Sequence, residues 1–359
     1  MTGTGTAGAP AAPTDPARAG AAAGRRGPVV RVNRRAVLVC AVALLAVLLL
    51  AVVTVWLGEL GISPAELPAV LAGQGSRAQE WALWSNRAPR LGVAVGAGAA
   101  FGVAGSVFQS VTRNPLGSPD VIGLGSGAAA GAAAATLVWP GVLPGPVGAL
   151  LGAGLAVGAV LLGAGRGVRA PLRMVVVGIA VGAMSLAFVQ LALARATAEE
   201  AQTVAAWLNG SLLSRRAEHV ATIGIALAVL LPCALALTRR LQLVEMGDDA
   251  ATALGVDPGR TRGLAIAVGV ALTAAAVSVC GPVSFIALTA PQIARRLTRS
   301  TGPGMVAAAC TGAALLVAAD LLAQHAPWGV QYPVGVLTAL LGGSYLAYLL
   351  VREWRKGTA

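Results

Sequence analysis

Apolar stretches close to twenty residues long recur along the whole of this chain, and no other feature narrows its fold as far. A helix of about 20 apolar residues matches the thickness of a bilayer's hydrocarbon core. In lipid, backbone groups must find their partners within the protein, and long continuous runs satisfy them as helices. Composition agrees with that reading. The 359 residues are 57% hydrophobic and 11% charged, with a mean hydropathy of +0.78, whereas a soluble domain carries about 25% charged residues. A water-soluble enzyme has too little polar surface here to cover its core.

The chain therefore reads as an all-α, polytopic membrane protein. Spans are expected at about 36–57, 91–111, 119–139, 144–164, 173–195, 219–238, 262–281, 283–298, 304–324 and 333–351. That makes about ten transmembrane helices, the run 283–298 being short. Residues 1–33, rich in Ala, Gly, Pro, Thr and Arg, read as a disordered basic cytoplasmic tail. Residues 34–356 then form one membrane domain.

The formal charge of +12 does not point to nucleic acid. Aromatics are only 4%, and the arginines gather at the ends of apolar runs, where they orient helices. With the N-terminus inside, the inner links carry Arg113, Arg166, Arg169, Arg173, Arg239, Arg240, Arg260, Arg262, Arg295, Arg296 and Arg299. Arg352, Arg355 and Lys356 follow the last span. Both termini are thus expected in the cytoplasm. Arg87, Arg90, Arg215 and Arg216 fall outside by this count, either as interfacial side chains reaching for water or as docking points for an acidic external partner.

Catalytic and cofactor signatures are missing. There is no phosphate-binding Gly-x-x-x-x-Gly-Lys-Ser/Thr loop, and "GSGAAA" lacks the strand and the later acid of a dinucleotide site. The four cysteines, Cys40, Cys233, Cys280 and Cys310, lie singly in apolar runs and read as small hydrophobes. Acids within spans are scarce, Asp320 being the clearest. A self-powered carrier usually needs ionisable groups at mid-membrane, so a carrier, channel or membrane enzyme is disfavoured.

Two polar passages stand out. "RNPLGSP" contains Arg113, Asn114, Pro115 and Pro119. The prolines forbid one continuous helix, Asn114 suits a turn, and the passage reads as an architectural bend. "EMGDDAATALGVD" contains Gly247, Asp248, Asp249, Ala250, Leu254 and Gly255. Asp248 or Asp249 is placed to cap a short helix over 249–254, with Gly255 as its stop. Such a helix fits the cleft of a second protein; its plain alternative is an ordinary polar loop.

Several motifs in register resemble the permease subunit of ATP-binding-cassette importers for iron–siderophore complexes, haem and cobalamin, the FecCD type. They are "NRAPR", "GSVFQSVTRNPLGSPDVIGLGSGAAAGA", "AAWLNGSL", "MGDDAATALGV", "CGPVSFIALTAPQIAR" and "YPVGVLTALLGGSYLAYLL". The resemblance runs from about residue 36 to 352. It implies a non-enzymatic transport subunit in the cell membrane with no cofactor of its own. A second permease subunit, identical or paralogous, would complete the pathway. Two cytoplasmic ATPase subunits would bind the ATP, and an external substrate-binding protein would deliver the cargo. It further implies that Arg87 and Arg90 dock that protein and that residues 247–255 couple to the ATPase. Arg169, Ala170 and Pro171 would lie near an inner gate. Ferric siderophore is the expected cargo, with haem or cobalamin as alternatives. Two departures from the family pattern are visible: Gln292 stands where histidine is common, and Gln324 follows Asp320 where arginine is common.

Overall fold

The computed structural model describes residues 33–57, 62–164, 171–326 and 332–357. Helix α1 (Arg34–Trp56) is a single apolar rod. After the short α2 (Leu67–Leu71) comes α3 (Arg77–Trp81), which passes through a π-helical turn, Ala82–Arg87, into α4 (Ala88–Thr112). A 3₁₀ turn, Pro119–Ile122, leads to α5 (Leu124–Ala133), which ends in a second π turn, Ala134–Val138. Then follow α6 (Gly145–Ala164), α7 (Pro171–Arg195), α8 (Ala198–Leu208) and α9 (Ala217–Glu245). The chain closes with α10 (Asp248–Ala253), α11 (Pro258–Cys280), α12 (Ile286–Thr298), α13 (Met305–Gln324) and α14 (Val334–Gly357). Among the described residues there is no strand.

Eight of these helices are long and apolar enough to cross a membrane. Two of the ten expected spans are shorter than expected. The third begins at Leu124 rather than 119, because Pro119 opens a separate 3₁₀ turn and Gly123, at φ 71°, ends it. The eighth is α12, whose 13 residues reach about 20 Å at the rise of an α-helix, short of the hydrocarbon core of about 30 Å. The second span is longer than expected and starts at Arg77. Pro89 explains the π turn before α4. It cannot donate to the carbonyl four residues back, and its ring crowds that carbonyl, so the helix widens instead of breaking. Helix α8 was not foreseen. Thr197 and Glu200 start it with a reciprocal capping box.

Helix α4 is the hub. In the stretch from Arg77 to Thr112, 72% of the most apolar window is buried, against 6% for α1. It packs on α13, α11, α9 and α12. The glycines allow this closeness. A Cβ at Gly98 would meet the backbone of Gly312 at 2.5 Å, and one at Gly102 would overlap the carbonyl of Ala308. Without a hydrophobic force between helices in lipid, such backbone approach and dispersion hold the bundle together. Helices α1, α7, α9 and α14 show apolar residues such as Leu48, Ile179, Met184, Val229 and Leu350 outward, as lipid or a second subunit would require.

Candidate functional site

The polar residues concentrate at the two ends of the bundle. At one end lie the C-terminal turn of α4, the helix α10, the start of α11 and the C-terminal half of α12. Helix α4 stops because Asn114 precedes Pro115 and is pushed out of helical conformation. Arg113 takes the left-handed conformation, φ 50° and ψ 33°. Its N–H bonds to Ser110 O and that of Asn114 to Gln109 O, the paired closure of a Schellman motif. A residue other than glycine costs about 1–2 kcal/mol there. The Asn114 side chain then accepts from the N–H of Leu116 at 2.9 Å, which shapes the bend.

The Arg113 side chain is committed to the neighbouring loop. Its Nε donates to Val244 O at 2.8 Å, and its Nη2 pairs with Asp248 Oδ1. Arg262, from the first turns of α11, grips the same carboxylate twice. Its Nη1 lies 2.9 Å from Oδ2 and its Nη2 2.6 Å from Oδ1. The paired guanidiniums, Arg262 foremost, hold the Asp248 carboxyl below its usual range. Beside this cluster, Arg295 of α12 donates to Glu245 at 3.0 Å and to Ser110 Oγ at 2.8 Å. Gln292 Nε2 donates to Pro115 O at 2.7 Å, and Gln109 Nε2 to Leu288 O at 3.0 Å. The bend at 113–118 is thus held from α9 and α10 on one side and from α12 on the other.

Helix α10 spans 248–253, one residue earlier than expected, and its cap differs from expectation. Neither Asp248 nor Asp249 caps it through a side chain, because Gly247 holds the cap position and both acids lie within the first turn, the Asp248 carboxylate being taken by the two arginines. Gly247, at φ 128°, precedes the helix. Gly255, at φ 78°, ends it, with Gly255 N bonded to Thr252 O and Val256 N to Ala251 O. Ala251 is fully buried, so the helix is seated on the bundle, while Met246 and Leu254 stand 71% and 61% exposed on either side of it. The result is a small protruding surface with two apolar knobs and the exposed Asp249.

At the opposite end, Arg90 and Asp320 form a buried ion pair between α4 and α13. Arg90 Nε lies 3.1 and 2.9 Å from the two carboxylate oxygens and Nη2 2.8 Å from Oδ1. Gln324 Nε2 donates to Oδ2 at 2.8 Å. Asp320 is 1% exposed and Arg90 9%. Arg90, expected on an external docking surface, is therefore turned into the bundle and occupied by an acid of its own chain. Arg87 is half-buried and donates to Val55 O at the end of α1. Arg215 donates to Leu213 O at 3.1 Å and to Val279 O at 2.9 Å, and burial lowers its pKa. Arg77 and Arg216 are exposed at this end.

Of the other expected site residues, Pro119 opens the 3₁₀ turn and Pro171 opens α7. Arg169 and Ala170 lie outside the described residues. Sequence reading missed Glu245, Arg262, Arg295 and Gln292 as members of one cluster. Their signal was present, since Arg262 and Arg295 had been counted as inner cations and Gln292 marked as a departure.

The model of the FecCD transport family matches residues 43–352. The chain is 40% identical over 342 residues to the ferric enterobactin transport system permease protein FepG of Escherichia coli strain K12, covering 91% of this chain and 100% of that one. It is 35% identical over 321 residues to the Fe(3+)-citrate import system permease protein YfmE of Bacillus subtilis strain 168, covering 88% and 96%. Among solved structures, an inward-facing conformation of a metal-chelate type ABC transporter superposes with a TM-score of 0.77 at 24% identity, covering 88% of this chain and 99% of that one.

Proposed function

The chain belongs to the FecCD transport family and is a multi-pass transport permease of the cell membrane; from that premise we propose that it carries a ferric siderophore inward, driven by separate ATPase subunits. The observation that carries this reading is α10, a short helix seated at one end of the bundle and joined by ion pairs and hydrogen bonds to helices on both sides. A mere connection between α9 and α11 needs no such fixing. A surface that receives a push from a partner does.

In this reading two ATPase subunits bind ATP, and one of them grips α10 of this chain through Met246, Leu254 and Asp249. The α10 end faces the cytoplasm, as the excess of arginine there favours, and both termini lie on that side. A second permease subunit covers outward apolar faces such as that of α7. An external binding protein delivers the cargo to the opposite end. Arg77, Arg87 and Arg216 are the cations best placed to meet it, whereas Arg90 would first have to leave Asp320. The named relatives import ferric enterobactin and ferric citrate, which supports a ferric chelate over haem or cobalamin. The test is co-purification of the tagged chain with an ATPase subunit, together with chelate-dependent stimulation of ATP hydrolysis. A chain that purifies alone and transports without ATP would overturn the reading.

A further inference from the structure

Helix α10 has a glycine at each end, Gly247 at φ 128° and Gly255 at φ 78°. Two glycines in such conformations are natural hinges, and six residues are too few to hold a helix by themselves. A push delivered to a helix hinged at both ends would tilt the helix and stop there. The Asp248 bridges remove that freedom. Neither arginine belongs to α10. The Arg262 side chain is 8% exposed within the bundle, and Arg113 is anchored through Nε to Val244 O at 2.8 Å. One carboxylate thus ties α10 to the last turn of α4, the most buried helix, and to the first turns of α11.

We propose that Asp248 is a positioning residue that latches α10 to α4 and α11, so that motion imposed on α10 enters the bundle as one rigid displacement. The proposal rests on the importer reading above. It assigns Asp248 to transmission and leaves partner contact to Met246, Asp249 and Leu254. Arg260 is the control, because it is a charged residue two positions from Arg262, is exposed, and takes no part in the Asp248 ion pairs.

The experiment uses the permease, its ATPase subunits and its binding protein reconstituted in vesicles, with radio-iron-labelled ferric enterobactin or ferric citrate as cargo. Iron delivered per ATP hydrolysed is measured for wild type, Asp248→Asn, Asp248→Glu and Arg260→Gln. Asp248→Asn is expected to co-purify with the ATPase and to hydrolyse ATP, but to deliver about tenfold less iron per ATP, the factor expected from losing a charge-assisted hydrogen bond. Asp248→Glu keeps the charge and recovers most of the ratio, and Arg260→Gln leaves it unchanged. An unchanged ratio in Asp248→Asn overturns the latch. So does loss of ATPase binding in that variant, which would make Asp248 a contact residue, and so does an equal fall in Asp248→Asn and Arg260→Gln. Failure of the wild-type complex to form or transport would instead sink the importer reading, which keeps the two claims apart.

Discussion

Single residues decide most at the Arg90–Asp320 pair. Both had been noticed in the sequence, one as a docking cation and one as an isolated acid, but 230 residues separate them and no local pattern links them. Sequence spacing reports helix faces, not which helices touch, so this contact was not legible. Removing one member strands a buried charge. Arg90→Ala or Asp320→Ala should destabilise the protein by about 3–5 kcal/mol, while replacing both with apolar residues should cost far less. Thermal unfolding of the four proteins in detergent measures this, and additive losses would contradict the pair. Asp248 gives a pH prediction. Its folded-state pKa is lowered, so its contribution is fully present above the unfolded carboxylate value of about 3.9 and is lost as pH falls through the folded value. The stability difference between wild type and Asp248→Asn should therefore be constant from neutral pH to about pH 5 and shrink only below about pH 4. A difference that vanishes by pH 6 would disprove the assignment.

Helices were the most legible level. Eight of the expected spans are long apolar helices, because the length of an apolar run follows directly from bilayer thickness. The failures have local causes. Pro119 and Gly123 shorten the third span, and α12 is short because the chain from Gly281 to Phe285 is non-helical before it, with φ of 73° and 69° at those two residues. Helix α8 escaped notice because its Glu199, Glu200 and Gln202 make it too polar for a hydropathy scan. Glycines let helices approach closely in lipid, and α4 against α13 shows that contact. Gly102→Leu should therefore lower stability by about 1–3 kcal/mol or more through forced separation of the two helices. Gly154, which has open space beside it, provides the contrast. Gly154→Ala should raise stability by about 0.5–1 kcal/mol. Equal effects at the two positions in a denaturant titration would contradict the packing argument.

For the whole molecule, the motifs that resemble the family named the architecture, and the family match over 43–352 agrees. What the sequence could not show is how the polar passages combine. The bend at 113–118 and the loop at 247–255 had separate roles in the sequence reading, one architectural and one for coupling. Folding places them in one cluster through Asp248, which is why the bend belongs to the functional site. The orientation of the bundle has its own test. With the native cysteines replaced, a cysteine at Asp249 should resist a membrane-impermeant maleimide added to whole cells, and one at Arg216 should react. The reverse pattern would invert the topology.

The most direct test of the account is uptake. Radio-iron-labelled ferric enterobactin, ferric citrate and a ferric hydroxamate, with labelled haem and cobalamin, would be offered to cells that lack the gene, carry it, or carry Leu254→Asp. One ferric chelate should be accumulated only with the gene present and lost again in Leu254→Asp, although that variant reaches the membrane in normal amount. Uptake that depends on the gene but is untouched by Leu254→Asp would contradict the claim that work enters this permease through α10.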